Sequence, residues 1–476
     1  MTRIFKYLFA SLFSLTSSSL SAHQSDIYQD VIIEGTLSEK LIENLKKDPN
    51  VFYYSEHIPG YSQNATKIPI EIQENKFKVR IPMHESIGYL GLGNSVVRTI
   101  FANLILVEAG DSLSINSRNQ WETKFSGKGS ERATVQVQYP QTLLPINYNN
   151  HLKYSDYLEV LLDSLKTKKE IALATIQNLP NTSTLAKKIM LYNIYGCIDI
   201  NYLEIINSLN QYEKMNKAFV DLNSHLKHLN ANDDEAVNMS FMLILAHYSA
   251  IRAIAYHDNK DIDAIGLNVL ECINKNYDHV VKDRLLAIAF IRMGKRSDLL
   301  LSLLPKNTTT IKDKLSNAIL KEIAETKLPG RPAFKFSFTG LKGNRISLEH
   351  FKGKTIILDT WFNGCLACLK LAELMEPIAK HFYQNQNVVF LSINAVDGFT
   401  RFASGVSEGK YGSSQTIYGY TAGLGLTHPM IKHYQYTSFP NLLIIGKDGN
   451  IISSNPPWPV NASKAKEFIK LIEDKL

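Results

Sequence analysis

Polar and apolar positions change their spacing twice along this chain. From about Val31 to Gln138 the period is two. Ile68, Ile70 and Ile72 alternate with polar or turn residues, as do Phe77, Val79 and Ile81, and Glu74-Asn75-Lys76 can turn the chain between them. Leu104 and Leu106 precede a Gly110-Asp111 turn, and Leu113 and Ile115 follow it. Such alternation, broken by turn residues at short intervals, predicts antiparallel strands with one buried face, hence a β-sandwich-like domain over 23–140. No cluster of catalytic side chains falls in it.

From about Tyr154 the period becomes 3.6. Ser155 and Asp156 offer N-caps, and Leu158, Leu161, Leu162 and Leu165 then recur at helical spacing. Pro180 and Asn181 interrupt the pattern, and Ser183 or Thr184 can start the next helix. Further helices are predicted near 211–229, 234–257, 262–275, 279–293 and 311–326. Sparse glycine and short connections give an all-α domain over 150–327, with no fixed repeat length. Leu328-Pro329-Gly330-Arg331-Pro332 then reads as a linker.

Beyond it the pattern is mixed. Phe334, Phe336 and Phe338 alternate, and Thr355–Trp361 (TIILDTW) is a nearly continuous apolar run, as in a strand buried on both faces. It runs into Phe362-Asn363-Gly364-Cys365-Leu366-Ala367-Cys368 and a helical pattern to about Tyr383. Residues 387–395 (NVVFLSINA) form a second buried strand. A hairpin over 441–446 and 450–453 turns at Lys447-Asp448-Gly449, and an amphipathic helix over 462–475 closes the chain. Residues 330–476 are therefore an α/β domain. Between Val396 and Tyr436 lies a glycine- and tyrosine-rich insertion that reads as a partner-binding lip or an ordinary surface loop.

Composition supports several folded domains: 476 residues, 45% hydrophobic and 20% charged, exclude global disorder and collagen-like repeats. The net charge of +7 is thin for this length, and the densest basic stretch, Lys166-Thr167-Lys168-Lys169, meets Glu170 at once. No nucleic-acid partner is expected. Residues 1–22 have a positive start at Arg3 and Lys6, a short apolar run, and small residues leading to Ser21 and Ala22. This is the layout of a signal peptide and places the chain in the periplasm or cell envelope; an uncleaved anchor or a buried N-terminal helix is the alternative. The apolar run is shorter than a membrane span, which leaves only a peripheral association with the membrane open.

The histidines at 225, 228, 247 and 257 lack companion ligands at metal spacing, so no metal and no cofactor is expected. Cys197 and Cys272 read as small buried hydrophobes, with a disulfide between them open. Cys365 and Cys368 are different. Following a buried strand and opening a helix, Cys365 would face unpaired backbone N–H groups that favour its thiolate. Cys368 lies one turn on, placed to attack a mixed disulfide at Cys365. That spacing makes Cys365 the nucleophile and Cys368 the resolving thiol. Half a zinc site is the competing reading, and the other two cysteines do not supply the missing ligands. Asp359, an acid inside an apolar strand, should have a raised pKa and could serve as general base toward Cys368; alternatively it is solvated or caps a neighbour.

The order strand, Cys-x-x-Cys, helix, strand, Pro-led hairpin and terminal helix resembles the thioredoxin fold. More closely, it resembles the extracytoplasmic TlpA/ResA-type thiol–disulfide oxidoreductases. The matching residues are Gly353-Lys354, the strand into Trp361, Cys365 and Cys368, Phe439-Pro440 and Asp448-Gly449. The blocks ahead of it loosely resemble the leader region of large exported members. The resemblance implies a redox-active disulfide between Cys365 and Cys368 and a cis-Pro440. It also implies client contacts at Trp361, Phe439 and Pro440, and a buried acid at Asp359. Partners would be client proteins carrying disulfides or thiols and an electron-donor redox protein, with reduction the preferred direction. Such proteins often carry a Glu shortly after the second cysteine; this chain has Leu371 three residues past Cys368, with Glu373 two further on. A peroxiredoxin would need Pro and Thr or Ser where Leu358 and Phe362 stand. A non-enzymatic scaffold with a thioredoxin-like passenger is the reading from a different class.

Overall fold

The computed structural model describes residues 28–61, 63–92, 104–118, 122–142, 154–208, 235–258, 261–294, 297–413 and 415–476. The expected signal peptide, the helix near 211–229, and His225 and His228 lie outside them.

The N-terminal strands are β1 (Val31–Leu37), β2 (Asn50–Tyr54), β3 (Thr66–Pro69), β4 (Glu71–Gln73), β5 (Lys76–Ile81), β6 (Ile87–Leu92), β7 (Ile105–Glu108), β8 (Ser112–Ser117) and β9 (Thr123–Lys128). They form two sheets, ordered β4-β5-β1-β8-β9 and β3-β2-β6-β7. The purely antiparallel expectation needs correcting, because β1 pairs parallel with β8. The run Ile68 to Ile72 is also not one strand. Its first half pairs with β2 and its second with β5. Pro69 has no N–H to extend the first ladder, and at Ile70 the N–H turns to the Pro49 carbonyl, 2.9 Å away. Helix α1 (Glu39–Lys47), which the period-two pattern does not predict, buries Ile42 and Leu45.

The helical elements are α2 (Ser130–Thr142), α3 (Tyr154–Gln177), α4 (Thr184–Ser208), α5 (Glu235–Met239), α6 (Phe241–Asp258), α7 (Ile262–Asn276), α8 (His279–Met293), α9 (Asp298–Ser302), α10 (Leu304–Thr308) and α11 (Lys314–Lys327). Every residue of β6 is buried, because its sheet is covered on both faces. Leu90 and Leu92 face the other sheet's Ile33 and Val79. Ile87 and Tyr89 instead join the helical core of Ile189, Leu243 and Ile288. The Tyr89 hydroxyl donates to Met239 O at 2.8 Å and accepts from Asn193 Nδ2 at 2.8 Å. Cys197 and Cys272 are both free thiols, and burial pushes the Cys197 thiol up to about 12.

The last third is a seven-stranded mixed sheet built from β10 (Ser337–Gly340), β11 (Arg345–Ser347), β12 (Thr355–Trp361), β13 (Val388–Asn394), β14 (Thr416–Tyr420), β15 (Asn441–Ile445) and β16 (Ile451–Ser453), in the order β11-β10-β14-β13-β12-β15-β16. β12 is central, parallel to β13 and antiparallel to β15. Strand alternation divides its side chains between two layers. Ile357 packs under α12 (Leu366–His381) through Leu371, Met375 and Ile378. Ile356 and Leu358 pack on the opposite face with Phe336, Phe338 and Met430. The insertion supplies α13 (Phe399–Ser407), β14 and α14 (Pro429–His433), and α15 (Ala462–Glu473) ends the fold. The Pro/Gly stretch after α11 is not free: Gly330 N–H donates to Ile451 O at 2.7 Å, and Ile451 N–H to Arg331 O at 2.8 Å. Further bonds join this third to the helices, including Ser454 Oγ to Lys327 O at 2.9 Å and Asn455 Nδ2 to Gly294 O at 2.8 Å.

Candidate active site

The C-terminal end of β12 delivers the chain to a turn that starts α12. Gly364, with φ +94°, makes that turn in a region glycine favours. Cys365 is the N-cap of α12, and its sulfur accepts the Cys368 N–H at 3.1 Å. One of the unpaired N–H groups of the first helical turn thus points at this sulfur, which favours negative charge there. Cys365 and Cys368 are joined in a disulfide, with Cα atoms 5.2 Å apart. Exposure does not separate the two, at 5% and 4%, but the neighbouring Leu366 is 81% exposed, so the mouth of the turn faces solvent.

Across from the disulfide, the Phe439–Pro440 bond is cis and leads into β15. The Phe439 carbonyl oxygen lies 3.8 Å from Cys365 Sγ. The Phe439 ring meets Phe362 edge-on, with centroids 6.0 Å apart. Trp361, expected to touch a client, does not offer its side chain for that: it is 1% exposed. Its ring is covered by Tyr411, stacked with centroids 4.4 Å apart, and by Phe402 of α13. It supports the cysteine turn from below.

Asp359 lies on the same face of β12 as Ile357 and Trp361, between the residues packed under α12 and those packed against the two cysteines. Burial in this apolar layer pushes its carboxyl up to about 7, while a hydrogen bond from Ser392 pulls the other way. Ser392 Oγ is 2.8 Å from Asp359 Oδ1. Tyr418 on β14 feels the charges of Asp359 and of Glu376 on α12, and its phenol is raised, mostly by burial. Glu373 sits on the surface, paired to Lys370 at 2.8 Å.

Three further residues complete the site: Asp397 and Ser392, which no sequence motif marks, and Tyr411, one of the tyrosines of the insertion. Buried Asp397 accepts the Asn363 N–H at 2.7 Å and the Asn394 side-chain amide at 3.0 Å, and it pairs with Arg401 at 3.2 Å. Tyr411 accepts the Gly364 N–H on its phenol at 2.8 Å. Ser392 faces Asp359 across the β12–β13 ladder. A usable signal existed for Ser392 and for Asn394, the donor to Asp397: both are polar residues in a strand otherwise apolar on both faces, and such groups are kept where they have partners. Elsewhere, His247 is buried with Nδ1 3.0 Å from the Tyr277 hydroxyl. Among the described residues no group of three or more His, Cys, Asp or Glu could hold a metal ion. Among them, too, no helix is long and apolar enough to cross a membrane.

A central parallel β12–β13 pair, a Cys-x-x-Cys disulfide capping the following helix and a cis-proline opposite it define a thioredoxin-like domain over the last third. The chain is similar to the thiol–disulfide oxidoreductases ResA of Bacillus thuringiensis subsp. konkukian and Bacillus cereus. The identity is 26% over 123 residues in each case, covering 26% of this chain and 66% of the relative. Among solved structures, the thioredoxin domain of a thiol–disulfide oxidoreductase from Bacteroides vulgatus matches at 19% identity and TM-score 0.26, covering 31% of this chain and 96% of that one. A thiol:disulfide interchange protein from a Bacteroides species matches at 19% identity and TM-score 0.26, covering 30% and 91%. No protein-family model matches the chain.

Proposed function

We propose that the chain is an exported thiol–disulfide oxidoreductase that reduces disulfides of envelope proteins through Cys365 and Cys368. The observation that carries this reading is the Cys365 sulfur held at the first turn of α12, bonded to Cys368, with Asp359 on the strand face beneath. The similarity to ResA proteins supports the reaction class, and the character of residues 1–22 supports export.

In the reduced protein, the Cys365 thiolate attacks one sulfur of a client disulfide and forms a mixed disulfide, while the other client sulfur leaves as a thiolate and takes a proton from solvent. Cys368 then loses its proton to the Asp359 carboxylate. Its thiolate attacks Cys365 Sγ, the Cys365–Cys368 bond forms, and the second client sulfur is released. Two electrons pass from the dithiol to the client, and a redox partner must return them. An acid near neutrality suits this proton transfer, since it can accept from a thiol and release again at ordinary pH. Phe439, whose carbonyl lies beside Cys365 Sγ, would present its backbone to the client strand.

Insulin reduction with dithiothreitol, run beside Cys365→Ser, tests the reading. Acceleration by the native chain and its loss in the variant are expected; equal rates would return the last third to a passenger role on a scaffold. Cys368→Ala should accumulate mixed disulfides through Cys365 in an envelope extract.

A further inference from the structure

Ser392 is fully buried and its hydroxyl has two acceptors within reach: Asp359 Oδ1 at 2.8 Å and the backbone carbonyl of Tyr411 at 3.0 Å. A hydroxyl carries one hydrogen and two lone pairs. With Asp359 ionised, the hydrogen goes to the carboxylate, because a bond to a charged acceptor is about twice as strong as a neutral one. The Tyr411 carbonyl then loses its donor. With Asp359 protonated, the acid's O–H donates to Ser392, and the Ser392 hydrogen is free for the Tyr411 carbonyl. All three groups are then satisfied in one chain.

Tyr411 is not a bystander. Its phenol holds the N–H of Gly364, the residue before Cys365, and its ring lies on Trp361. The same residue therefore contacts the acid's hydroxyl partner at its backbone and the cysteine turn at its side chain. We propose that Ser392 is a positioning residue that passes the protonation state of Asp359 to the Gly364–Cys365 turn through Tyr411. Proton arrival at Asp359, which accompanies the resolving attack by Cys368, thereby tightens Tyr411 on the turn that holds Cys365. This rests on the oxidoreductase reading for its purpose but not for its geometry.

Other ionisable groups surround the path. They are Tyr418 on β14, which feels both Asp359 and Glu376 of α12, the two cysteines at the start of α12, and Tyr411; beside the turn they are Asp397 and Arg401. In the disulfide form the cysteines do not titrate, which removes them from the readout.

The chain contains a single Asn-Gly step, Asn363-Gly364, so labelling Asn with carbonyl ¹³C and Gly with ¹⁵N selects the Gly364 amide alone. In the oxidised full-length protein, that amide shift should titrate with a midpoint near that of Asp359. In Ser392→Ala the amplitude should fall by at least half, and Ser392→Thr, which keeps the hydroxyl, should restore it. Tyr411→Phe, which cuts the path at the phenol, should abolish the response even if Ser392→Ala does not fold. A Gly364 shift that ignores pH, or one equally large in Ser392→Ala or Tyr411→Phe, overturns the proposal. Failure to reduce insulin would instead overturn the reading of function and leave this titration intact.

Discussion

The Tyr411 ring lies on the Trp361 ring with centroids 4.4 Å apart and planes 10° from parallel, and its phenol accepts the Gly364 N–H at 2.8 Å. A loop residue from the insertion thus fixes both the floor and the lip of the cysteine turn. Tyr411→Phe keeps the stack and removes only the acceptor, a loss of about 1 kcal/mol for one hydrogen bond. The melting temperature should fall by a few degrees and insulin reduction should slow. Tyr411→Ala also removes the ring, and large aromatic deletions from a core cost about 3–5 kcal/mol. A thermal shift for Tyr411→Ala no larger than that for Tyr411→Phe would show that the stack contributes nothing.

Asp359 sets a pH dependence of stability with a definite sign. Its folded pKa of about 7 lies above the ordinary carboxylate value, so between roughly pH 4 and 7 the native chain holds a proton that the unfolded chain has lost. Stability therefore falls as pH rises through that window. The penalty is absent below pH 4 and complete above pH 7, on the order of 4 kcal/mol at 1.36 kcal/mol per unit. Asp359→Asn should accordingly be more stable than the native chain at pH 8 and no more stable at pH 4. Denaturant midpoints of the oxidised proteins at the two pH values check this. The same variant should slow resolution of the mixed disulfide, since the proton acceptor for Cys368 is gone.

Gly405 and Gly398 give a matched pair at the two ends of one short stretch. A Cβ on Gly405 would come within 2.7 Å of Asn363 Oδ1 and 2.7 Å of the Trp361 ring, so α13 approaches the cysteine turn at a spacing only glycine allows. A Cβ on Gly398 meets nothing within 4 Å. Gly405→Ala should destabilise by about 1–3 kcal/mol through overpacking, with slower insulin reduction as the turn shifts. Gly398→Ala should melt within about 0.5 kcal/mol of the native chain. Equal melting temperatures for the two variants would show that Trp361 and Asn363 can move aside.

Local chemistry made the site's centre legible in the sequence. The apolar run into Asn363-Gly364-Cys365 predicts a buried strand and a helix start, and Asp359 stands out because a charge in such a run needs a reason. Asp397, Tyr411 and Ser392 are not legible in the same way. They meet the turn only through the β12–β13 register and the path of the insertion, which are tertiary facts. Trp361 shows the converse, since a ring beside the cysteines reads as a contact until Tyr411 is seen to cover it. In the N-terminal block, period two locates strands but carries no information about which sheet each joins. The switch at Ile70 and the parallel β1–β8 pair follow from long-range pairing. Helix α1 escapes because its two buried residues, Ile42 and Leu45, are too few to reset the period.

The β3-β2-β6-β7 sheet couples the first two blocks, and this too can be measured. Ile87 and Tyr89 of β6, with Phe52 and Tyr54 of β2, pack into the helical core, and the Tyr89 hydroxyl bonds both Met239 O and Asn193. Tyr89→Phe keeps the ring but leaves the Met239 carbonyl and the Asn193 amide without this partner, at a cost of about 1–3 kcal/mol for buried polar groups. Because the two blocks share one apolar core, that cost should appear on both sides of it. Amide exchange in Tyr89→Phe should speed up in β2 and β6 and, to a similar extent, in α4. Exchange that accelerates in the strands while α4 keeps its native protection would show that the helices hold together without the sheet.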